Sequence, residues 1–151
     1  MRVFKRVLLA LVVIFVLMQL YRPSRTNPPV DQTKTIEQTM SIPPNVQTIL
    51  SRACTDCHSS KTIWPWYSNL APVSWMLVDH VKDGREELNF SDWGTFSAKK
   101  RRRKLEEICE QVNKKEMPLP SYLWMHHDAQ LSPEDRNVLC DWANAEKGKV
   151  R

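Results

Sequence analysis

The chain has 151 residues, 42% hydrophobic and 26% charged, a balance that allows one globular domain and excludes a largely disordered chain. It holds only 3 glycines and no G-x-G-x-x-G or G-x-x-x-x-G-K-[ST] string, which excludes nucleotide chemistry on a Rossmann or P-loop scaffold. The net charge of +5 does not mark a nucleic-acid binder: five cations (Arg2, Lys5, Arg6, Arg22, Arg25) precede Thr26, and the 17 basic residues beyond meet 17 acidic ones.

Val7 to Tyr21 is a run of 15 uncharged residues behind Arg2, Lys5 and Arg6, the shape of a secretory signal. Met18 to Pro23 offers no small-residue cleavage site, so residues 1–21 are expected to form an uncleaved signal anchor; a cleaved signal is the alternative. That reading makes the N-terminus one transmembrane helix, a single pass through the inner membrane with the domain facing the periplasm. Fifteen residues rise only about 22 Å against a core of about 30 Å, so the flanking arginines would have to snorkel. Arg22 to Pro44 holds Pro23, Pro28, Pro29, Pro43 and Pro44 without helical or alternating patterning, and residues 22–43 read as a semi-rigid linker. The folded domain is expected over residues 44–147.

Within it, strand-like alternation is absent and helical spacing recurs, which predicts an all-α domain. Val46, Ile49, Leu50, Ala53 and Cys57 share one face of a helix opened by Pro43-Pro44. Ser74 is expected to cap a second helix carrying Trp75, Val78 and Val81, with Gly84 ending it. Ser97 is expected to cap a third, with Leu105, Ile108, Cys109 and Val112 on one face. Ser132-Pro133-Glu134-Asp135 is a capped start for a last helix that buries Val138, Leu139, Trp142 and Ala143. Four short helices with long connections make a small core, of the kind that needs a staple, a metal or a cofactor.

Cys54-Thr55-Asp56-Cys57-His58 is a C-x-x-C-H string, the attachment signature of c-type haem. Two thiols at this spacing reach the two vinyl groups on one edge of a porphyrin, and the adjacent His58 lies beneath the ring to ligate iron. A thioredoxin-like dithiol would need a βαβ pattern, which is missing. A zinc site using Cys54, Cys57, His58 and His80 lacks a second paired ligand unit. The spacing thus predicts one covalent haem c per chain.

The second axial ligand must come from elsewhere. Met117, in Glu116-Met117-Pro118-Leu119-Pro120, is the leading candidate, because the thioether is a common partner of His in electron-carrying cytochromes and the following proline holds it extended. His80 is the runner-up, followed by His126 and His127, while Met76 and Met125 are expected in the core. Trp64-Pro65-Trp66-Tyr67, Trp75 and Trp93 suit the faces of a flat apolar ring. Pro72 is a candidate carbonyl for the second nitrogen of His58, and Arg85 a candidate partner for a propionate.

The longer string resembles the bacterial haem-binding domain family of small monohaem c-type proteins. The matching blocks are Cys54-x-x-Cys57-His58-Ser59, Trp64-Pro65-Trp66-Tyr67, Ala71-Pro72-Val73-Ser74-Trp75, His80-Val81-x-x-Gly84-Arg85 and Leu88-Asn89-Phe90-Ser91-x-Trp93, followed by Met117-Pro118-Leu119, Tyr122, His126 and Ala129-x-Leu131-Ser132. The resemblance covers about residues 42 to 145 and implies covalent haem c. His80 and His126 belong to its pattern and stay alive as ligands. It also implies a fold similar to class I cytochrome c, with the first and last helices of the domain crossing so that Ile49 and Ala53 pack near Leu139 and Trp142.

Lys99 to Lys104 is six consecutive cations, read as a solvated helix start paired with Glu106, Glu107 and Glu110, or as a docking patch for an acidic redox partner. Cys109 and Cys140 are left over after haem attachment, as a disulfide or as two buried thiols. The expected function is one-electron transfer by a membrane-anchored monohaem cytochrome with a redox protein as partner, not an enzyme. A haem peroxidase or a redox or gas sensor with an open sixth iron position is the alternative.

Overall fold

The computed structural model describes residues 1–150, and among them it holds helices and no strand. The α-helices are α1 (Arg2–Met18), α2 (Ile36–Thr39), α3 (Pro44–Ala53), α4 (Thr55–His58), α5 (Val73–Glu87), α6 (Ala98–Asn113), α7 (Pro120–Leu123) and α8 (Pro133–Lys149). The all-α expectation is met. The transmembrane expectation is not: no helix among the described residues is long and apolar enough to cross a membrane. The physical reason is length. α1 has 17 residues, about 25 Å of rise against a hydrocarbon core of about 30 Å. The single-pass inner-membrane placement with a periplasmic domain was built on that helix and falls with it.

The chain after α1 runs along the domain. The Gln19 side chain pairs with the Ala71 backbone in both directions, Nε2 donating to the carbonyl (3.2 Å) and Oε1 accepting from the amide (2.9 Å). Trp75 Nε1 donates to the Tyr21 carbonyl (3.0 Å), and Asn27 Nδ2 to that of Thr62 (2.9 Å). Residues 22–43, read above as a linker, therefore contact the domain at several points, and Ile36 of α2 is 1% exposed within the main core.

That core lies between α3, α6 and α8. Leu105, Ile108 and Val112 of α6 are buried, as are Leu139, Trp142 and Ala143 of α8, each set at helical spacing. Ile49, Ala53, Leu139 and Trp142 share this one cluster, and α3 packs on α8. Ser97 accepts from Lys100 N, and Ser132 and Asp135 form a reciprocal capping box, so both sequence-read starts are real. A Cys109–Cys140 disulfide staples α6 to α8 across 31 residues of chain, and the Asn113 amide reaches both sulfurs at 3.3 Å. A core this small gains from such a cross-link through the entropy it removes from the unfolded chain.

The basic run at the start of α6 is neither uniformly solvated nor free. Lys100 Nζ sits 3.8 Å over the Phe96 ring, Arg101 Nε donates to the Phe96 carbonyl, Arg102 donates to that of Val150, and Arg103 pairs with Glu107. Lys104 is buried, at 4% exposure.

Candidate functional site

The C-x-x-C-H string sits where α3 gives way to α4. Cys54 breaks the helix, and its carbonyl accepts from the Cys57 and His58 amides (3.2 and 2.9 Å), closing a single turn. Side chains from the same segment pin that turn. Thr55 Oγ1 donates to the Leu50 carbonyl (3.0 Å), Ser59 Oγ to that of Thr55 (2.7 Å), and Thr62 Oγ1 to that of Asp56 (2.6 Å). Short polar side chains that satisfy neighbouring backbone groups make this turn locally self-consistent.

α5 supplies the wall behind it. Gly84 does not end α5 but lies inside it, and without positive φ. Its role is close approach: a Cβ there would lie 2.7 Å from the Cys57 carbonyl oxygen. The approach brings one carbonyl of α5 and one from the residue after it to His58, whose Nδ1 lies 2.9 Å from Gly84 O and 3.1 Å from Leu88 O. Two acceptors at Nδ1 require its proton there, so Nε2 carries the free lone pair. The carbonyl of Pro72, the candidate named from sequence, is not the partner. Burial lowers the His58 pKa, with the Lys104 charge adding to that direction, so the imidazole stays neutral and able to ligate.

Both thiols of the motif are unpaired and half-buried. Burial pushes Cys54 up to about 12 and Cys57 up to about 11, the latter helped by the Asp56 charge. Thiols held protonated make poor redox nucleophiles and poor zinc ligands. No group of three or more His, Cys, Asp or Glu side chains suited to a metal ion occurs among the described residues.

A cavity of about 580 Å³ opens beside the turn, within the size range of small-molecule and cofactor sites. Cys57, His58, His80 and Met117 all line it, so four of the sequence-named candidates are brought together. Cys54 does not line it; it packs against the main core at the α3–α4 junction. The rim is apolar and exposed: Trp66 (71%), Trp124 (74%), Met76 (43%) and Met125 (56%) border the opening. The two methionines expected in the core are therefore part of the site. Trp93 is the reverse case, 0% exposed in the main core and away from the cavity. A flat apolar ring with one polar anchoring edge fits this lining, because it would cover side chains that otherwise face water.

The Met117 loop forms the other side. α6 ends in a Schellman turn, with Glu116 N donating to Gln111 O (3.0 Å) and Lys115 N to Val112 O (3.2 Å), which places Lys115 at φ 60°. Met117 follows, half-buried. Tyr122 of α7 then reaches back to the C-x-x-C-H turn, its hydroxyl donating to Asp56 Oδ2 (2.8 Å). Burial first, and this bond second, raise the Tyr122 pKa. His126 stacks on Tyr122 with centroids 4.0 Å apart and lies edge-on to Tyr67. It does not line the cavity, and His127 is exposed, so the His126-His127 pair backs the wall instead of facing the cavity.

Sequence reasoning missed Tyr122 as the tie between the two sides and Gly84 as the point of contact. A lone glycine within a helical pattern, one of three in the chain, is the signal that pointed to it. Arg85 is engaged elsewhere: Nε donates to Ser59 O, Nη1 to Thr26 O, and Nη2 to Asn27 Oδ1 and Thr62 Oγ1. It ties the N-terminal strap to the C-x-x-C-H turn and does not line the cavity.

No curated protein and no solved structure matches the chain. A family model does, over residues 13–145, and it describes the group these residues are built to hold. The chain belongs to the haem-binding domain family.

Proposed function

We propose that this chain carries one haem c, joined through thioethers to Cys54 and Cys57, and serves as a one-electron carrier to a partner redox protein. His58 would hold the iron through Nε2, and Met117 would supply the second protein ligand. The observation that carries the reading is the hydrogen-bonded Nδ1 of His58 in a cavity also lined by Cys57 and Met117. A bound haem supplies the ferric–ferrous couple. The chain's own part is to orient His58, keep its Nε2 unprotonated, cover the ring with Trp66 and Trp124, and exclude water with the Met117 loop. Electron transfer asks for no general acid or base, and the rigid turn around His58 suits a site that changes charge with little rearrangement.

The test is the absorption spectrum of protein matured with haem attachment, in both oxidation states. Methionine ligation is expected to give a weak far-red band in the oxidised form that Met117→Ala removes. A high-spin spectrum that takes up carbon monoxide readily would overturn the assignment and favour a peroxidase or sensor. A chain without covalent haem would overturn the reading entirely.

A further inference from the structure

Lys104 is 4% exposed, yet nothing in the main core calls for a cation there. Its Nζ lies 2.7 Å from Glu107 Oε2 and 3.3 Å from Glu87 Oε2. Glu87 is the last residue of α5, lines the haem cavity and stands between Gly84 and Leu88, the two residues whose carbonyls hold His58. Through Glu87 the ammonium is thus held at the C-terminal end of α5, next to the stretch whose carbonyls hold His58. Complementing the helix dipole is worth little on its own, and burying a charged pair is weak evidence for stability, since a well-packed apolar residue does as well or better. Glu87 is 79% exposed at its side chain, so water screens the anion while the cation keeps its field.

We propose that Lys104 is an electrostatic tuning residue that raises the reduction potential of the haem held by His58. The inference rests on the haem reading above. Reduction removes one positive charge at the iron, so a fixed cation held near the His58 side of the cavity favours the reduced state. Lys104 acts through space, without touching His58. Glu87 opposes it from the other end of the same ion pair.

The test is a redox titration of the haem-loaded wild type, Lys104→Met, Lys104→Arg and Glu87→Gln, each first checked for covalent haem and an unchanged low-spin spectrum. Lys104→Met is expected to raise the oxidised-to-reduced ratio at a fixed ambient potential about three- to tenfold, the upper figure equal to about 59 mV for one electron. Glu87→Gln is expected to shift it the other way by a smaller factor, and Lys104→Arg to restore the wild-type ratio. The shift in Lys104→Met is expected to persist at high salt, as a buried charge demands. Loaded variants that titrate like the wild type, or Met and Gln variants that shift in the same direction, would overturn the proposal while leaving the haem reading intact. Should Lys104→Met fail to fold, the sign of the Glu87→Gln shift at an exposed position decides alone. A wild-type chain that takes up no haem would overturn both.

Discussion

The two sides of the cavity are built by different means. The His58 side is backbone work: one closed turn, a helix brought within van der Waals distance by a glycine, and two carbonyls on one imidazole nitrogen. The Met117 side is a loop after a Schellman turn, with half-exposed residues and one strong tie, Tyr122 to Asp56. Backbone groups cannot change identity by mutation, whereas side-chain ties can. The proximal wall is therefore pre-organised, and the opposite wall is where ligation and access are adjustable.

Several substitutions would break or sharpen that contrast. Gly84→Ala should have the largest effect, because its Cβ would meet the Cys57 carbonyl at 2.7 Å and neither backbone can yield cheaply. A loss of about 1–3 kcal/mol is expected, together with reduced covalent haem content; urea unfolding and the haem spectrum measure the two. Wild-type stability in Gly84→Ala would show that the wall is soft. Tyr122→Phe removes the donor to the Asp56 carboxylate and should cost about 1.5 kcal/mol in the same assay, with Met117 ligation weakened before His58 ligation. If instead the far-red band is untouched, the Met117 side does not depend on that tie.

A milder effect concerns pH. Burial lowers the His58 pKa from 6.5, so in the haem-free chain the unfolded state binds more protons just below that value. Stability is thus complete above about 6.5 and is lost as pH falls towards the folded value. Unfolding curves of the haem-free chain between pH 5 and 8 should show this slope, and His58→Asn should flatten it. The smallest expected change is a gain. Lys115 holds φ 60° at the helix end, a conformation that glycine adopts without strain, so Lys115→Gly should stabilise the chain by about 0.5–1 kcal/mol and leave the proximal side unmoved.

Local chemistry made much of this chain legible from residues alone. The caps at Ser97 and Ser132, the buried faces of α6 and α8, and the C-x-x-C-H turn all depend on neighbours within a few positions, so spacing was enough to read them. The errors have a common source in contacts across the chain. Gly84 looked like a helix end because glycine usually is one; only the approach of α4 explains its place inside α5. Ile36 lay unrecognised in a proline-rich stretch, since its burial depends on the packing of α2 against residues 90–95. Arg85 had the right charge for a propionate, but four acceptors from two distant segments, residues 26–27 and 59–62, hold it. The N-terminal charge pattern resembles that of a membrane anchor, but no helix among the described residues is long and apolar enough to cross a membrane.

What the sequence determined by itself was the helical class, the C-x-x-C-H turn and the membership of a haem-binding family, because these rest on periodicity and short motifs. What only the tertiary structure decided was the carbonyl pair on His58, the burial of Lys104 against the end of α5 and the apolar rim of Met76 and Met125. Each of these joins residues separated by many positions, and no local spacing encodes which distant backbone group or charge will be brought within reach.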